Sequence, residues 1–97
     1  MGIEAIEIQT EWYLGIKCLE TNEEGDGKKL FFKGWVCQEY EGGPYSLGIH
    51  GDALPFESKR EGLKRLKRSR IKRDYKGATI IYLKTTITDE EGEIGTL

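Results

Sequence analysis

The chain opens with an alternation of apolar and polar positions. From Ile6 to Cys18 the even positions are almost all apolar, whereas most of the odd positions are polar or small. A period of two residues is typical of a half-buried strand, because successive side chains point to opposite faces of a sheet. The polar, glycine-bearing stretch at residues 21–27 then predicts a turn.

Two further strands are predicted before residue 50. Residues 30–40 form the second, glycines and a proline at 41–44 form a tight turn, and alternation at 45–49 indicates a short third strand. Strict alternation assigns one face of the second strand to Leu30, Phe32, Val36 and Tyr40, and the other to Phe31, Trp35 and Cys37. The short connections favour an antiparallel meander, because parallel strands need long crossovers.

A helix is predicted from about residue 59 to residue 76. The segment Ser58-Lys59-Arg60-Glu61 has the form of a capping box, in which Ser58 and Glu61 satisfy each other's backbone N–H groups. Gly77 has the position of a C-terminal helix cap. The apolar positions of the helix are sparse and are expected to face the sheet; they are Leu63, Leu66, Ile71 and Tyr75.

A β-branched run at residues 79–88 predicts a fourth strand. The remaining residues, 89–97, are either a terminal hairpin or a flexible acidic tail. We therefore expect a single α+β domain over residues 1–97. Its antiparallel meander would contain about four strands in β-β-β-α-β order, with one basic helix packed on the sheet.

Charge is strongly segregated along the chain. Residues 59–76 hold ten of the fifteen Lys and Arg residues and only two of the seventeen acidic ones, a formal charge of +8. The rest of the chain carries −10, so the net charge of −2 describes neither part. Such segregation indicates that the helix binds an anionic partner or folds against acidic residues of its own protein.

The basic residues of the predicted helix form the candidate binding site. Arg60, Lys64, Arg68, Lys72 and Lys76 follow one another at intervals of four and would form a continuous ridge. Like charges at this spacing cost about 0.2–0.5 kcal/mol per pair, so an opposing charge is expected nearby. The candidate residues are Arg60, Lys64, Arg65, Lys67, Arg68, Arg70, Lys72, Arg73 and Lys76.

Several sources of that opposing charge are open. Nucleic acid, DNA or RNA, would supply phosphates and release counterions on binding. An acidic protein surface is a second source, and the chain's own Glu7, Glu11 and the acids of residues 20–26 are a third. The run could also be an ordinary solvated helix face. A membrane surface is disfavoured, because the apolar side lacks Trp and Phe and is needed for the core.

No constellation in the sequence indicates catalysis. His50 precedes Gly51 and Asp52, but no nucleophile is paired with them. Cys18 and Cys37 are far apart and are expected to be reduced thiols rather than a disulfide or a metal pair. We therefore expect no enzyme, cofactor or small-molecule substrate, and a cytoplasmic protein without a visible secretory signal.

The predicted β-β-β-α-β order is similar to that of HicB-like antitoxin domains and of the small DNA-binding domains of phage integrases. In both, a helix opens with an aromatic-x-Ser/Thr-x-x-acidic pattern, which residues 56–61 resemble. The resemblance covers about half of the chain, consists mainly of a helix cap, and assigns the chain to neither family. The sequence thus favours a nucleic-acid-binding protein. The alternative is a protein-interaction or inhibitor module of phage or mobile-element type, for example one that blocks a host nucleic-acid-processing complex.

Overall fold

The computed structural model describes residues 10–25 and 27–97, which form an antiparallel five-stranded sheet and two short helices. The strands are β1 (Glu11–Thr21), β2 (Lys28–Gln38), β3 (Tyr45–Gly48), β4 (Thr79–Thr85) and β5 (Glu90–Thr96). The helices are α1 (Lys59–Lys67) and α2 (Arg70–Asp74), and a 3-10 turn spans His50–Asp52. The predicted α+β class and antiparallel sheet are therefore confirmed.

The strand order differs from the predicted four-strand meander. It is β3-β2-β1-β4-β5, so β4 lies beside β1 and not beside β3, the strand that precedes it in the chain. β4 pairs with β1, where Ile80 lies opposite Ile16 and Tyr82 opposite Leu14. β1 is thus the central strand of the sheet, with β2 on one side and β4 on the other.

Residues 90–96 form a fifth strand, which pairs with β4 as a hairpin. Its sequence, EEGEIGT, contains five Glu or Gly residues, and both types are depleted in strands. β5 is an edge strand whose glutamates are exposed to solvent. The pairing with β4 therefore decides its conformation, and local propensity does not.

One face of the sheet carries the core. The helices pack there, and the apolar residues predicted to face the sheet do so: Leu66 and Ile71 are buried, and Leu63 and Tyr75 pack at the edge of the cluster. Burying a side chain of this size contributes roughly 1.5–3 kcal/mol. The buried members of this cluster are Leu14, Ile16, Val36, Phe56, Leu66, Ile71, Ala78 and Ile80.

A β-bulge reverses the side-chain alternation of β2. The pairing register of β1 and β2 shifts between Ile16 and Lys17, so Lys33 is an extra residue on β2. Gly34 beside it has a φ of 144°, in a region that side chains rarely adopt. The predicted faces of β2 are therefore wrong: Phe32 shares a face with Trp35, at 5.3 Å between ring centroids, and Phe31 lies on the other face with Val36.

The segment that leads to α1 is held between β1 and β2. The backbones of Trp12 and Phe56 exchange two hydrogen bonds of 3.1 and 2.7 Å, and the Leu54 N–H donates to the Val36 carbonyl at 2.9 Å. These bonds anchor the chain immediately before Ser58. α1 therefore starts from a rigid point on the sheet.

The N-terminal cap of α1 is confirmed. The Ser58 hydroxyl accepts from the Glu61 N–H at 3.0 Å, whereas the Glu61 carboxylate accepts from Arg65 Nε rather than returning to Ser58. Gly62 lies against the core, and a Cβ there would be 2.9 Å from Leu14 Cδ1 and 3.0 Å from Phe56 Cγ. Close approach of the first helical turn to the sheet thus accounts for this glycine.

The prediction of one helix over residues 59–76 is wrong, because the helix breaks at Arg68 and Ser69. The Ser69 hydroxyl donates to the Leu66 carbonyl at 2.6 Å and accepts from the Ile71 N–H at 3.2 Å. Serine side chains compete in this way with the backbone bonds of a continuing helix. On one straight helix Leu66 and Ile71 would point about 140° apart, and the break lets both reach the core.

Candidate anion-binding surface

The nine predicted site residues lie on the solvent side of α1, α2 and the turns that follow each helix, and all nine are exposed. Leu66 and Ile71 turn inward to the core, so the charged side chains point outward. This set is named the basic surface; its members are Arg60, Lys64, Arg65, Lys67, Arg68, Arg70, Lys72, Arg73 and Lys76.

The predicted continuous ridge at intervals of four residues is interrupted. Arg60 and Lys64 lie on α1, Arg68 is its C-terminal cap, and Lys72 belongs to α2. Lys76 lies in the turn after α2. The helix break thus divides one ridge into two groups of basic side chains that flank residues 68 and 69.

Three members of the basic surface form ion pairs, all within residues 59–76. Arg65 Nε lies 3.0 Å from Glu61 Oε1, Arg70 Nε lies 3.7 Å from Asp74 Oδ2, and Arg73 Nε lies 3.4 Å from Asp74 Oδ1. The hydrogen bond to Glu61, together with a contact to the Tyr45 hydroxyl, raises the pKa of the Arg65 guanidinium. These pairs are exposed to solvent, which weakens each of them.

The other six have no carboxylate within 4.0 Å in the described part of the chain. They are Arg60, Lys64, Lys67, Arg68, Lys72 and Lys76.

The acidic residues that the structure describes outside residues 59–76 form no ion pair with the basic surface. Glu11 accepts a hydrogen bond from Tyr13, Glu20 pairs with Lys33, and Glu90 accepts from Tyr82 at 2.7 Å. Of the acids expected to neutralise the helix, Glu7 and Asp26 lie outside the described residues. Among residues 10–25 and 27–97, no acid from beyond residues 59–76 pairs with a side chain of the basic surface.

Two shallow clefts meet at Arg68 and Ser69. The first, here called the arginine cleft, has a volume of about 380 Å³; it is lined by Arg65, Arg68 and Arg70 together with Pro44 and Tyr45 from the start of β3. The second, the lysine cleft, has a volume of about 360 Å³ and is lined by Lys67, Arg68, Lys72, Arg73, Lys76 and Leu97. No sequence pattern near Tyr45 indicated that it would lie beside the helical arginines, because only the packing of α2 near β3 brings them together.

Lys59 differs from the nine other basic residues of the helical region. Its ammonium group lies 5.0 Å from the ring centroid of Tyr82 and 5.8 Å from that of Trp12. Both distances fall within the range of a cation–π contact. Lys59 therefore packs on the sheet and is left out of the basic surface.

The opposite face of the sheet carries neither α1 nor α2 and is called the helix-free face. Phe32, Trp35 and Ile81 close over Gly15 there, where a Cβ would lie 2.8 Å from Phe32 Cε2. Leu19 and Leu30 pair directly beyond this cluster and are 60% and 44% exposed, and Phe32 is 45% exposed. The helix-free face therefore presents apolar side chains to solvent.

His50 packs with the aromatic residues of this face. Its ring lies 5.1 Å from that of Tyr13 and 5.5 Å from that of Trp35, measured between centroids. Asp52 lines a separate cleft of about 690 Å³ beside Cys37, and that cleft does not include His50.

Both cysteines are free thiols, and burial raises the pKa of Cys37, with a smaller contribution from Asp52. No group of three potential metal ligands occurs among the described residues.

Comparisons of the chain with protein-family models, with curated proteins and with solved structures found no match. Neither α1 nor α2 has the length and apolar character that crossing a bilayer requires, and no other helix of the described residues does. The function proposed for the chain therefore rests on the chemistry of its surface.

Proposed function

We propose that the protein is a non-enzymatic binding protein whose basic surface contacts the phosphates of nucleic acid. The observation that carries the proposal is the set of six exposed Lys and Arg side chains without a carboxylate partner in the described part of the chain. Side chains of this kind displace the counterions condensed on a nucleic acid, and this release favours binding. The repulsion within the surface is relieved at the same time.

The packing of the helices favours a polyanion over a lipid surface. An amphipathic helix that binds a membrane inserts its apolar side into the bilayer. Leu66 and Ile71 are buried in the core and are not free to insert. The side chains that the helices expose to a partner are positively charged, and this favours a phosphate backbone as the partner.

The proposal is tested by fluorescence anisotropy with labelled single- and double-stranded DNA and RNA between about 50 and 200 mM salt. Wild type should bind with an affinity that falls as salt rises, and the plot of log affinity against log salt concentration should have a slope of about −0.9 per phosphate contacted on duplex DNA. Replacing Lys64 and Lys72 with Gln should make this slope shallower by the equivalent of about two phosphate contacts. The matched control replaces Lys28 and Lys29, two exposed lysines at the tip of the β1–β2 hairpin, and should leave the slope unchanged. Absence of binding to all probes at low salt would overturn the proposal.

The second candidate is a protein-interaction or inhibitor module, and the helix-free face favours it. Contiguous exposed apolar side chains are typical of surfaces that bind another protein. In this case a tagged protein should retain a stoichiometric partner from the source cell after nuclease treatment. Replacing Leu19 and Leu30 with Ser should release that partner without affecting anisotropy with nucleic acid. Recovery of nucleic acid only would reject this candidate.

A further inference from the structure

The break between α1 and α2 brings Arg70 beside Arg65 and Arg68, whereas a straight helix would turn Arg70 away from both. Arg65 and Arg70 are five residues apart, which corresponds to about 140° around an uninterrupted helix. In the structure both line the arginine cleft, and Arg68, the C-terminal cap of α1, lines it between them. The cleft therefore depends on the capping of α2 by Ser69.

Two of the three guanidinium groups are oriented by neighbours on the protein. Arg65 Nε contacts Glu61 Oε1 at 3.0 Å, and Arg70 Nε lies 3.7 Å from Asp74 Oδ2, an acid shared with Arg73. A guanidinium has five N–H donors, so each pair through Nε leaves donors for a ligand. Arg68 has no carboxylate within 4.0 Å in residues 10–25 and 27–97. The cleft thus combines two positioned cations with one that is uncompensated.

The composition of the cleft points to a phosphate group as its ligand. Guanidinium groups donate paired, parallel hydrogen bonds that match the oxygens of phosphate, whereas an ammonium acts as a point charge. The neighbouring lysine cleft suits a general attraction to polyanions. The arginine cleft has a volume of about 380 Å³ and a wall formed by Pro44 and Tyr45, so it is large enough to hold a sugar beside the phosphate.

We propose that the arginine cleft binds one phosphate group of a nucleic-acid strand through Arg65, Arg68 and Arg70. The inference rests on the proposed function for the source of the phosphate. That source is either a terminal phosphate or an internal phosphodiester, and both present the same oxygens to the three guanidinium groups.

The site itself is tested by titrating the full chain with inorganic pyrophosphate, followed by NMR of the backbone amides and arginine Nε–H groups. Saturable shifts are expected at Tyr45, Ser69 and Arg70. Arg68→Gln should weaken pyrophosphate binding about tenfold or more, because it removes the guanidinium group that forms no ion pair in the described part of the chain. Lys67→Gln removes the same charge next to Arg68 but lines only the lysine cleft, and should change the affinity by less than about twofold. Arg68→Lys should restore the charge without restoring the affinity.

The source of the phosphate is tested with one oligonucleotide, with and without a 5′-phosphate. Tighter binding of the phosphorylated form, lost in Arg68→Gln, assigns the cleft to a strand end. Equal binding of both forms, with a clearly larger loss of affinity in Arg68→Gln than in Lys67→Gln, assigns it to an internal phosphodiester.

Equal losses of pyrophosphate affinity in Arg68→Gln and Lys67→Gln would overturn the proposed phosphate site in the arginine cleft. The proposed function would then still stand. Pyrophosphate binding at these three residues without any oligonucleotide binding would overturn the nucleic-acid source and the proposed function, and leave the phosphate site.

Discussion

The Ser69 hydroxyl accepts a hydrogen bond from the backbone N–H of Ile71 at 3.2 Å, and this contact caps α2, which begins three positions after the last residue of α1. The same oxygen donates to the Leu66 carbonyl at 2.6 Å. One side chain therefore satisfies a backbone group on each side of the break. Ser69 thereby sets the start of α2, which carries Arg70, Lys72 and Arg73.

Replacing Ser69 with Ala should destabilise the protein by about 0.5–2 kcal/mol, because the first turn of α2 loses its cap. Urea unfolding followed by tryptophan fluorescence measures the loss. Ser46→Ala is the matched control, since Ser46 is exposed on the edge strand β3, and it should change stability by less than about 0.5 kcal/mol. Equal stability of the two variants would show that the cap contributes nothing.

Replacing Gly62 with Ala should also destabilise the protein, although alanine is the better helix former. The gain in helix propensity is about 1 kcal/mol, whereas overpacking a core typically costs about 1–3 kcal/mol. The new Cβ would lie 2.9 Å from Leu14 and 3.0 Å from Phe56, both buried. Urea unfolding followed by tryptophan fluorescence shows whether Gly62→Ala raises or lowers the free energy of unfolding. A Gly62→Ala variant more stable than wild type would mean that the first turn of α1 has room to move away from the sheet.

Tyr13 should ionise near pH 12. A hydrogen bond donated to the Glu11 carboxylate, together with burial and the charge of Glu11, raises the pKa of Tyr13 to about 12 from its ordinary value of 10.0. The folded state then holds this proton more tightly than the unfolded state does. The stabilisation it brings is complete below about pH 10 and is lost as pH rises toward 12.

Glu11→Gln tests this assignment, because the amide removes the charge and weakens the acceptor. In tyrosine labelled with carbon-13 at Cζ, the Tyr13 signal should titrate closer to pH 10 in the variant. The signals of Tyr40 and Tyr75, which are not in contact with Glu11, serve as internal controls. A Tyr13 signal that titrates at the same pH in both proteins would contradict the hydrogen bond.

The side chains of Lys59 and Tyr82 should stabilise the folded protein together, as a measurable coupling energy. The ammonium lies 5.0 Å from the ring centroid, and an exposed contact of this kind contributes about 0.5–1 kcal/mol. A double-mutant cycle of Lys59→Gln and Tyr82→Leu isolates this coupling, because the unfavourable position of Lys59 at the positive end of α1 cancels in the cycle. The parallel cycle with Lys64→Gln should give a coupling near zero, and similar values in both cycles would exclude a specific contact.

Short-range features of the fold were accessible from the sequence. The cap at Ser58 needs residues only three positions apart, and the burial of Leu66 and Ile71 follows from their contrast with the charged residues around them. Such features depend on groups that are neighbours in the chain whatever the rest of the protein does.

The sequence does not predict which side chains of β2 share a face of the sheet. The extra residue at Lys33 exists only relative to its partner strand, so no alternation within β2 can reveal it. A shift of one residue moves every later side chain to the other face. Phe32 consequently joins Trp35 on the helix-free face, opposite to the prediction.

Some features of the candidate site likewise follow from the order of the residues, whereas others follow only from the fold. Charge segregation, the first four strands and the start of the helix are properties of residue order, so the sequence by itself determined that a positively charged helical surface exists. The tertiary structure decided the strand order, the break at Ser69, and the meeting of Tyr45 with Arg65 and Arg70. It also decided that, in the described part of the chain, the basic surface pairs only with Glu61 and Asp74. These outcomes depend on pairing register and on packing between residues far apart in the chain, which residue order does not specify directly.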